Sequence, residues 1–389
     1  MAPIRLVVVG CGYAADFYLA CCAARPDLTV AGAYDTDPQR LARFARHHGV
    51  RAFDSLAEAL DADADMVVNA TSLASHYPVT KAALLAGRHV FSEKPVALEL
   101  DQARELWDLA ERSGLLLSSA PSTVLGPCAA AVRRVLESGA IGRPRLVHAA
   151  LDDGAVHLMG HRAWRSPSGS PWPAADEFAA GPVLEHLGYQ LTWLVDLFGG
   201  VRQLAGETGL LVPAGLSAAA LGPNSAHWTL THESGVVCRL SGSGLAPRDY
   251  SLTIVGDAGV ITVDDVMRLD SRVTCRRTRT PDPAGTTEPA EPADRIGYLG
   301  PPEVVDYRTP PPPYADTHYI DFAAGVADLA DALRHGRRPV MDRAFGLHVL
   351  ELTLAIARVR SGVTRPGSTL PAGRAVVPAE RQVAEGQAP

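Results

Sequence analysis

The sequence predicts an α/β domain of Rossmann type followed by a second, strand-rich domain, and three observations lead there. Apolar runs at residues 4–9, 28–34, 66–70 and 88–92 alternate with helix-forming stretches, the pattern of buried parallel strands in βαβ units. The first run ends in a glycine-rich turn, Gly10-Cys11-Gly12-Tyr13-Ala14-Ala15. At 389 residues the chain is too long for one ordinary core, so two domains are expected, 1–121 and 122–389.

Composition narrows the partners. The chain is 47% hydrophobic and 20% charged, as globular proteins are, and its formal net charge of -7 comes without Lys/Arg runs. That argues against nucleic acid or an anionic membrane as partner and for a small-molecule substrate. No apolar run approaches the ~18 residues of a membrane span, and the start, MAPIRLVVVGCG, does not read as a secretory signal. Six cysteines without a CxxC pair read as reduced thiols in a cytoplasmic protein.

In chain order, the first turn has the GxGxxA form of a dinucleotide fingerprint. Gly10 permits the tight turn, Gly12 lets the backbone approach a pyrophosphate, and Ala15 lets the helix pack close to the strand; Tyr13 and Ala14 open that helix. The second strand ends at Asp35, about 20 residues on, where a carboxylate accepts ribose hydroxyls and repels a 2′-phosphate. NAD is therefore the expected cofactor, with Arg40 keeping NADP in play. Asp35 and Asp37 also read as a turn and helix cap before Pro38.

The third strand ends in Thr71-Ser72-Leu73-Ala74-Ser75-His76. The small hydroxyls suit a nucleotide lying across the sheet. His76 reads equally as a cofactor contact or as packing beside a helix from Pro78. The fourth strand, 88–92, runs into Glu93-Lys94-Pro95, and a Lys before Pro stays extended, at the strand's carboxyl end. The chain has 36 Lys+Arg, yet Lys occurs only at Lys81 and Lys94. A surface charge tolerates either residue, whereas a group that exchanges a proton cannot be Arg. Lys94 is the candidate.

These features together, GxGxxA, Asp35, TSLASH and above all GRHVFSEKPVAL at 87–98, resemble the glucose–fructose oxidoreductase / inositol dehydrogenase / MocA (Gfo/Idh/MocA) family. VRRVLESGAIGRP at 132–144, Trp164-Arg165 and a Gly-rich strand–helix segment at 181–199 extend the likeness to about residue 373. The resemblance implies an NAD(P)-dependent oxidoreductase acting on a secondary alcohol or ketone of a sugar, sugar nucleotide or cyclitol. It implies a second, α+β domain with a large, mostly antiparallel sheet whose open face pairs subunits into a homodimer or homotetramer. Strands at 145–151, 227–232, 236–241, 251–255 and 260–263 agree, with a hairpin at Gly256-Asp257-Ala258-Gly259. Residues 278–313 read as a surface excursion, 319–335 and 347–360 as helices, and 374–389 as a tail.

The resemblance also implies site residues. Lys94 polarises or deprotonates the hydroxyl, its pKa expected to be lowered by burial and the cofactor's charge. Glu93 joins the cofactor contacts, as do Trp164 and Arg165. The family's D-x-G-x-H segment falls on Glu185 and Tyr189 without a gap, four apart and so on one helix face; a one-residue gap moves it to His186 and Gln190. Glu185-His186 also read as a helix-start pair, and His157 with His161, four apart and joined by Glu185-His186, as metal ligands, although no metal is expected. Redox-neutral chemistry with retained NAD, or a silent NAD- and sugar-sensing protein, are the other outcomes.

Overall fold

The computed structural model describes residues 2–213, 215–278, 299–309, 311, 314, 319–371, 374, 376 and 377. The first domain runs β1 (Ile4–Val9), α1 (Tyr13–Ala23), β2 (Leu28–Tyr34), α2 (Pro38–His48), α3 (Leu56–Asp61), β3 (Met66–Asn69), α4 (Leu73–Leu85), β4 (His89–Ser92), α5 (Leu100–Arg112) and β5 (Leu117–Ser119). Its five strands are parallel in the order β2-β1-β3-β4-β5. The strands are apolar because helices cover both faces. The chain leaves β1 toward one edge and returns to the other side as β3. Ligands of open α/β sheets bind where the order reverses, outside the carboxyl ends of the strands, here those of β1 and β3.

The helix expected from Pro78 begins earlier, at Leu73, with Pro78 inside it. The proline forfeits one helical hydrogen bond, and the buried face of His76, Thr80, Ala83 and Leu84 offsets that loss.

The second domain adds α6 (Pro127–Glu137), β6 (Pro144–Asp152), α7 (Ala174–Ala180), α8 (Pro182–Glu185), α9 (Gly188–Phe198), β7 (Val201–Gly209), β8 (Ser225–His232), β9 (Val237–Ser243), β10 (Leu252–Gly256), β11 (Gly259–Val263), β12 (Val273–Arg277), β13 (Glu303–Val304), α10 (Ala324–His335), α11 (Arg343–Arg358) and β14 (Ser361–Thr364). A nine-stranded sheet has the order β13-β12-β11-β10-β6-β9-β8-β7-β14, with β6 and β9 parallel and the other pairs antiparallel. The β10–β11 hairpin turns at Asp257-Ala258 as expected. One face packs Val147, Leu204, Leu240 and Ile254 against α9 and α11; the other exposes His148, His227, Thr229 and Arg239.

The segment 181–199, expected as strand then helix, is two helices instead. Gly181 at φ +77° ends α7, and Pro182 opens α8 at its first turn. The glycine thus marks a helix–helix junction. The helices expected at 319–335 and 347–360 are Ala324–His335 and Arg343–Arg358, the second starting earlier because Asp342 caps it through the amide of Phe345. Within the expected excursion, residues 279–298, 310, 312 and 313 lie outside the described residues, as do all but 374, 376 and 377 of the expected tail. All six cysteines are buried and unpaired, and among the described residues no helix is long and apolar enough to cross a membrane.

The chain crosses back to the first domain at its end. Val326, Leu329 and Ala330 of α10 are buried with Leu6, Val8, Tyr18 and Phe91, and Leu347, Leu350 and Leu354 of α11 with Leu106 and Trp107. Arg334 adds an ion pair to Asp27 at 2.8 Å. Leu329→Ala is therefore expected to destabilise the protein by about 2–5 kcal/mol, the cost of a core cavity. Urea unfolding followed by circular dichroism measures it; an unchanged midpoint would place α10 outside that core.

Candidate active site

A cleft of about 340 Å³ opens at the carboxyl ends of β1 and β3. Gly10 sits at φ +93°, where an added Cβ would meet the Ala70 carbonyl carbon at 2.6 Å; only glycine lets the two strand ends come this close. At Gly12 an added Cβ would meet nothing within 4 Å, so the turn's backbone faces open space. Tyr13 and Ala14 line the cleft, while Ala15 is buried beneath it against the strand.

Asp35 closes one end of the cleft. Its carboxylate accepts hydrogen bonds from the backbone amides of Cys11 at 2.7 Å and Asp37 at 2.8 Å. Asp37 is the residue that caps α2, through the amides of Gln39 and Arg40. Arg40 reaches to 3.5 Å of Asp35 and lines the same end. Thr71 and Ser72 line the floor. Asn69 holds that loop, accepting from the Thr71 hydroxyl at 2.7 Å and donating to the His76 carbonyl at 2.9 Å. His76 is buried in α4, with Nδ1 2.8 Å from the Pro95 carbonyl and Nε2 3.0 Å from that of Thr71. It pins two loops together and presents an edge to the cleft.

At the other end Lys94 leaves β4 and meets Glu185 at the end of α8, Nζ to Oε2 2.7 Å. Their side chains are 16% and 6% exposed. Glu93 accepts from the Tyr18 hydroxyl and from the Lys94 amide, both at 2.8 Å, which holds the strand end rigid. The pKa of Lys94, expected to be lowered, is raised. Burial pushes the ammonium down, but the Glu185 carboxylate, with Tyr189, Glu177 and Glu93 around it, outweighs that. Lys94 is therefore an ammonium at neutral pH.

Glu185 and Tyr189 do not share a continuous helix face, because the chain breaks between α8 and α9 at His186-Leu187. Tyr189 nonetheless lies close enough to be coupled to Lys94, and burial first pushes its phenol up, so it stays protonated. His186 turns the other way: Nδ1 lies 2.8 Å from Asp153 and Nε2 3.5 Å from Glu177. Tyr250 completes this dyad, donating to Asp153 at 2.7 Å. Gln190 is spent on the carbonyls of Ala150 and Ser251. Glu177, with Asp176 and Pro173, also lines the cleft, and burial raises its carboxyl to about 6.

Trp164 and Arg165, expected at the cofactor, are not among the cleft's lining residues. Trp164 stacks edge-on against Trp172 and His161, and Arg165 donates to the carbonyls of Arg162 and Trp164. His161 belongs to that aromatic cluster rather than to a ligand set with Glu185, whereas His157 lines a small cavity beside Glu177 and His186. No sequence pattern marks Asp153, Glu177 or Tyr250 as part of the site, whereas Asn69 is marked as a lone polar residue ending an apolar strand.

The open backbone at Gly12, the anchored carboxylate at Asp35 and the hydroxyl-lined floor fit a nicotinamide dinucleotide. Comparison with known proteins agrees. Residues 4–120 match the family model described as "Oxidoreductase family, NAD-binding Rossmann fold", and 129–262 that described as "GFO/IDH/MocA C-terminal domain". D-apiose dehydrogenase of Paraburkholderia graminis is 30% identical over 236 residues, 59% of this chain and 57% of that protein. The chain spans about half the length of the curated relatives it matches. Among solved structures, UDP-N-acetylglucosamine 3-dehydrogenase of Acidithiobacillus ferrooxidans superposes with a TM-score of 0.70 at 21% identity, covering 92% of this chain and 97% of that one. A 3-ketoreductase of Actinomadura kijaniata, solved with TDP-benzene and NADP, gives 0.69 at 19% identity, covering 92% and 98%.

The dyad beside Glu177 has a pH signature. Burial pushes the His186 imidazolium down, but Asp153 and then Glu177 raise it from 6.5 to about 9. A raised pKa means that the fold favours the protonated form. Its stabilisation is complete below 6.5 and disappears as pH rises through about 9. The melting-temperature gap between wild type and His186→Gln is expected to narrow across that window. A gap constant with pH would contradict the ion pair.

Proposed function

Since this chain belongs to the Gfo/Idh/MocA family of NAD(P)-dependent oxidoreductases, we propose that it interconverts a secondary alcohol and a ketone on a sugar, sugar nucleotide or cyclitol, with Lys94 as acid and base. One observation carries this reading: a buried Lys94–Glu185 pair faces the dinucleotide cleft from its rim. The bound nicotinamide supplies the hydride acceptor or donor. The chain's own residues handle the proton.

As an ammonium, Lys94 donates a hydrogen bond to the substrate oxygen and stabilises the charge that develops there. In the direction of ketone reduction it delivers its proton to that oxygen and is left as a neutral amine beside the Glu185 carboxylate. In the direction of alcohol oxidation the proton moves from the hydroxyl to Lys94, which must first have passed its own to Glu185 or to water. Tyr189, held as a phenol, is a second donor toward the same oxygen, and Glu185 orients the ammonium. The Asp35 carboxylate favours NAD(H), since it would repel a 2′-phosphate. Names of the relatives support a carbohydrate substrate: they are dehydrogenases of D-apiose and of UDP-N-acetylglucosamine. The exposed face of the nine-stranded sheet is the surface through which we expect a homodimer or homotetramer to form.

The test is a panel of free sugars, nucleotide-linked sugars and cyclitols incubated with NAD⁺, followed by the absorbance of reduced nicotinamide and by chromatography of products. Turnover with matching NADH formation supports net redox chemistry; conversion without it points to the redox-neutral alternative. With the substrate so found, Lys94→Ala should lower kcat by about 10²–10⁴-fold, the usual contribution of a general acid–base group, while leaving NADH affinity near wild type. Near-normal turnover would remove Lys94 from the mechanism.

A further inference from the structure

Residues 166–170 of the second domain lie against the glycine turn and the first turn of α1. The Ser170 hydroxyl donates to the Cys11 carbonyl at 2.9 Å, inside the GxGxxA turn itself. Ser168 donates to Asp16 twice, through its hydroxyl at 2.8 Å and its amide at 3.3 Å. Asp16 is fully buried although it carries a charge, and its other oxygen meets His48 Nε2 at 2.6 Å. Burial alone would raise its carboxyl; the hydrogen bonds from His48, Ser166 and Ser168 hold it below the usual carboxylate value. Such a carboxylate is costly to bury without partners, so the loop and α1 are expected to part only together with a new source of hydrogen bonds.

The loop is closed on itself. Ser166 donates its amide to the Ser170 carbonyl at 2.9 Å, Gly169 donates to the Ser166 carbonyl at 2.8 Å, and the Ser170 amide donates to Ser166 Oγ at 3.2 Å. These bonds tie its two ends together. It leads within three residues to Pro173, and then to Asp176 and Glu177, which line the same cleft as Gly10 and Gly12 of the glycine turn.

Resting on the dinucleotide reading above, we propose that residues 166–170 are a strap, clasped by Asp16, that must lift before the dinucleotide can leave. Asp16 is then a positioning residue: it touches no cofactor and acts by holding the wall at Pro173–Glu177 onto the nucleotide-binding turn. The strap retains cofactor between turnovers, which net redox chemistry with free NAD would be slowed by and redox-neutral chemistry would exploit.

Stopped-flow fluorescence of NADH release from the full chain tests this, using wild type, Ser168→Ala, Ser168→Thr and Ser170→Ala. Ser168→Ala and Ser170→Ala should each release NADH about tenfold faster, the scale of one hydrogen bond to a buried or charged acceptor. Ser168→Thr, which keeps the hydroxyl, should restore the wild-type rate, as a merely structural role would not require. In wild type, amide hydrogen exchange at 168–170 should slow when NADH is bound. Wild-type release rates from both alanine variants, or exchange indifferent to NADH, would overturn the strap. A wild type that binds no NADH would instead overturn the dinucleotide reading on which it rests.

Discussion

The Lys94–Glu185 ion pair is the constraint around which the rest of the molecule is arranged. Its two charges come from different domains, one from the end of β4 and one from the end of α8, 91 residues apart in the chain. Taking both out of water costs several kcal/mol per ion, which only close geometry and further hydrogen bonds repay. The surroundings supply that geometry. Glu93 fixes the lysine's backbone, His76 pins the loop that follows it, and the α7–α8 junction at Gly181 aims Glu185 at the cleft. A pair that cannot be dismantled cheaply keeps the two halves of the site in register, and the same pairing fixes Lys94 as a donor.

Much of this was legible from residue identity alone. Gly10 announces the turn because only glycine fits there, Gly12 leaves the turn's backbone open to the cleft, Asp35 follows from its spacing, and Lys94 stands out in a chain that uses Arg at nearly every basic position. The β-strands of the first domain followed from their apolar runs. The charge state of Lys94 was not legible, because it depends on a partner whose distance no local pattern states. Asp153, Glu177 and Ser168 stayed hidden for the same reason: each takes its meaning from partners distant in the chain, His186 and Tyr250 for Asp153, His186 for Glu177 and Asp16 for Ser168. The Trp164-Arg165 pair shows the converse. Its resemblance was legible, yet the side chains are spent locally and the residues just after them make the contact with the glycine turn.

The site thus has an ordered division of labour. On the proposed reading, backbone geometry at the glycine turn and the Asp35 carboxylate select a dinucleotide, the domain-bridging pair handles the proton, and the Asp153–His186–Glu177 cluster sets the charge behind it. Contacts from the second domain reach both ends of the cleft, so binding and chemistry share one interdomain geometry.

The most direct test of that geometry is thermal melting with NAD⁺, NADH, NADP⁺ and NADPH, on wild type and on Asp35→Ala. A ligand at a hundred times its Kd adds ~2.7 kcal/mol to stability, an easily seen shift. The expected result is a rise in melting temperature with NAD(H) that exceeds any with NADP(H) and is lost in Asp35→Ala. No shift with any of the four, in protein shown by mass spectrometry to carry no nucleotide, would contradict the assignment of the cleft.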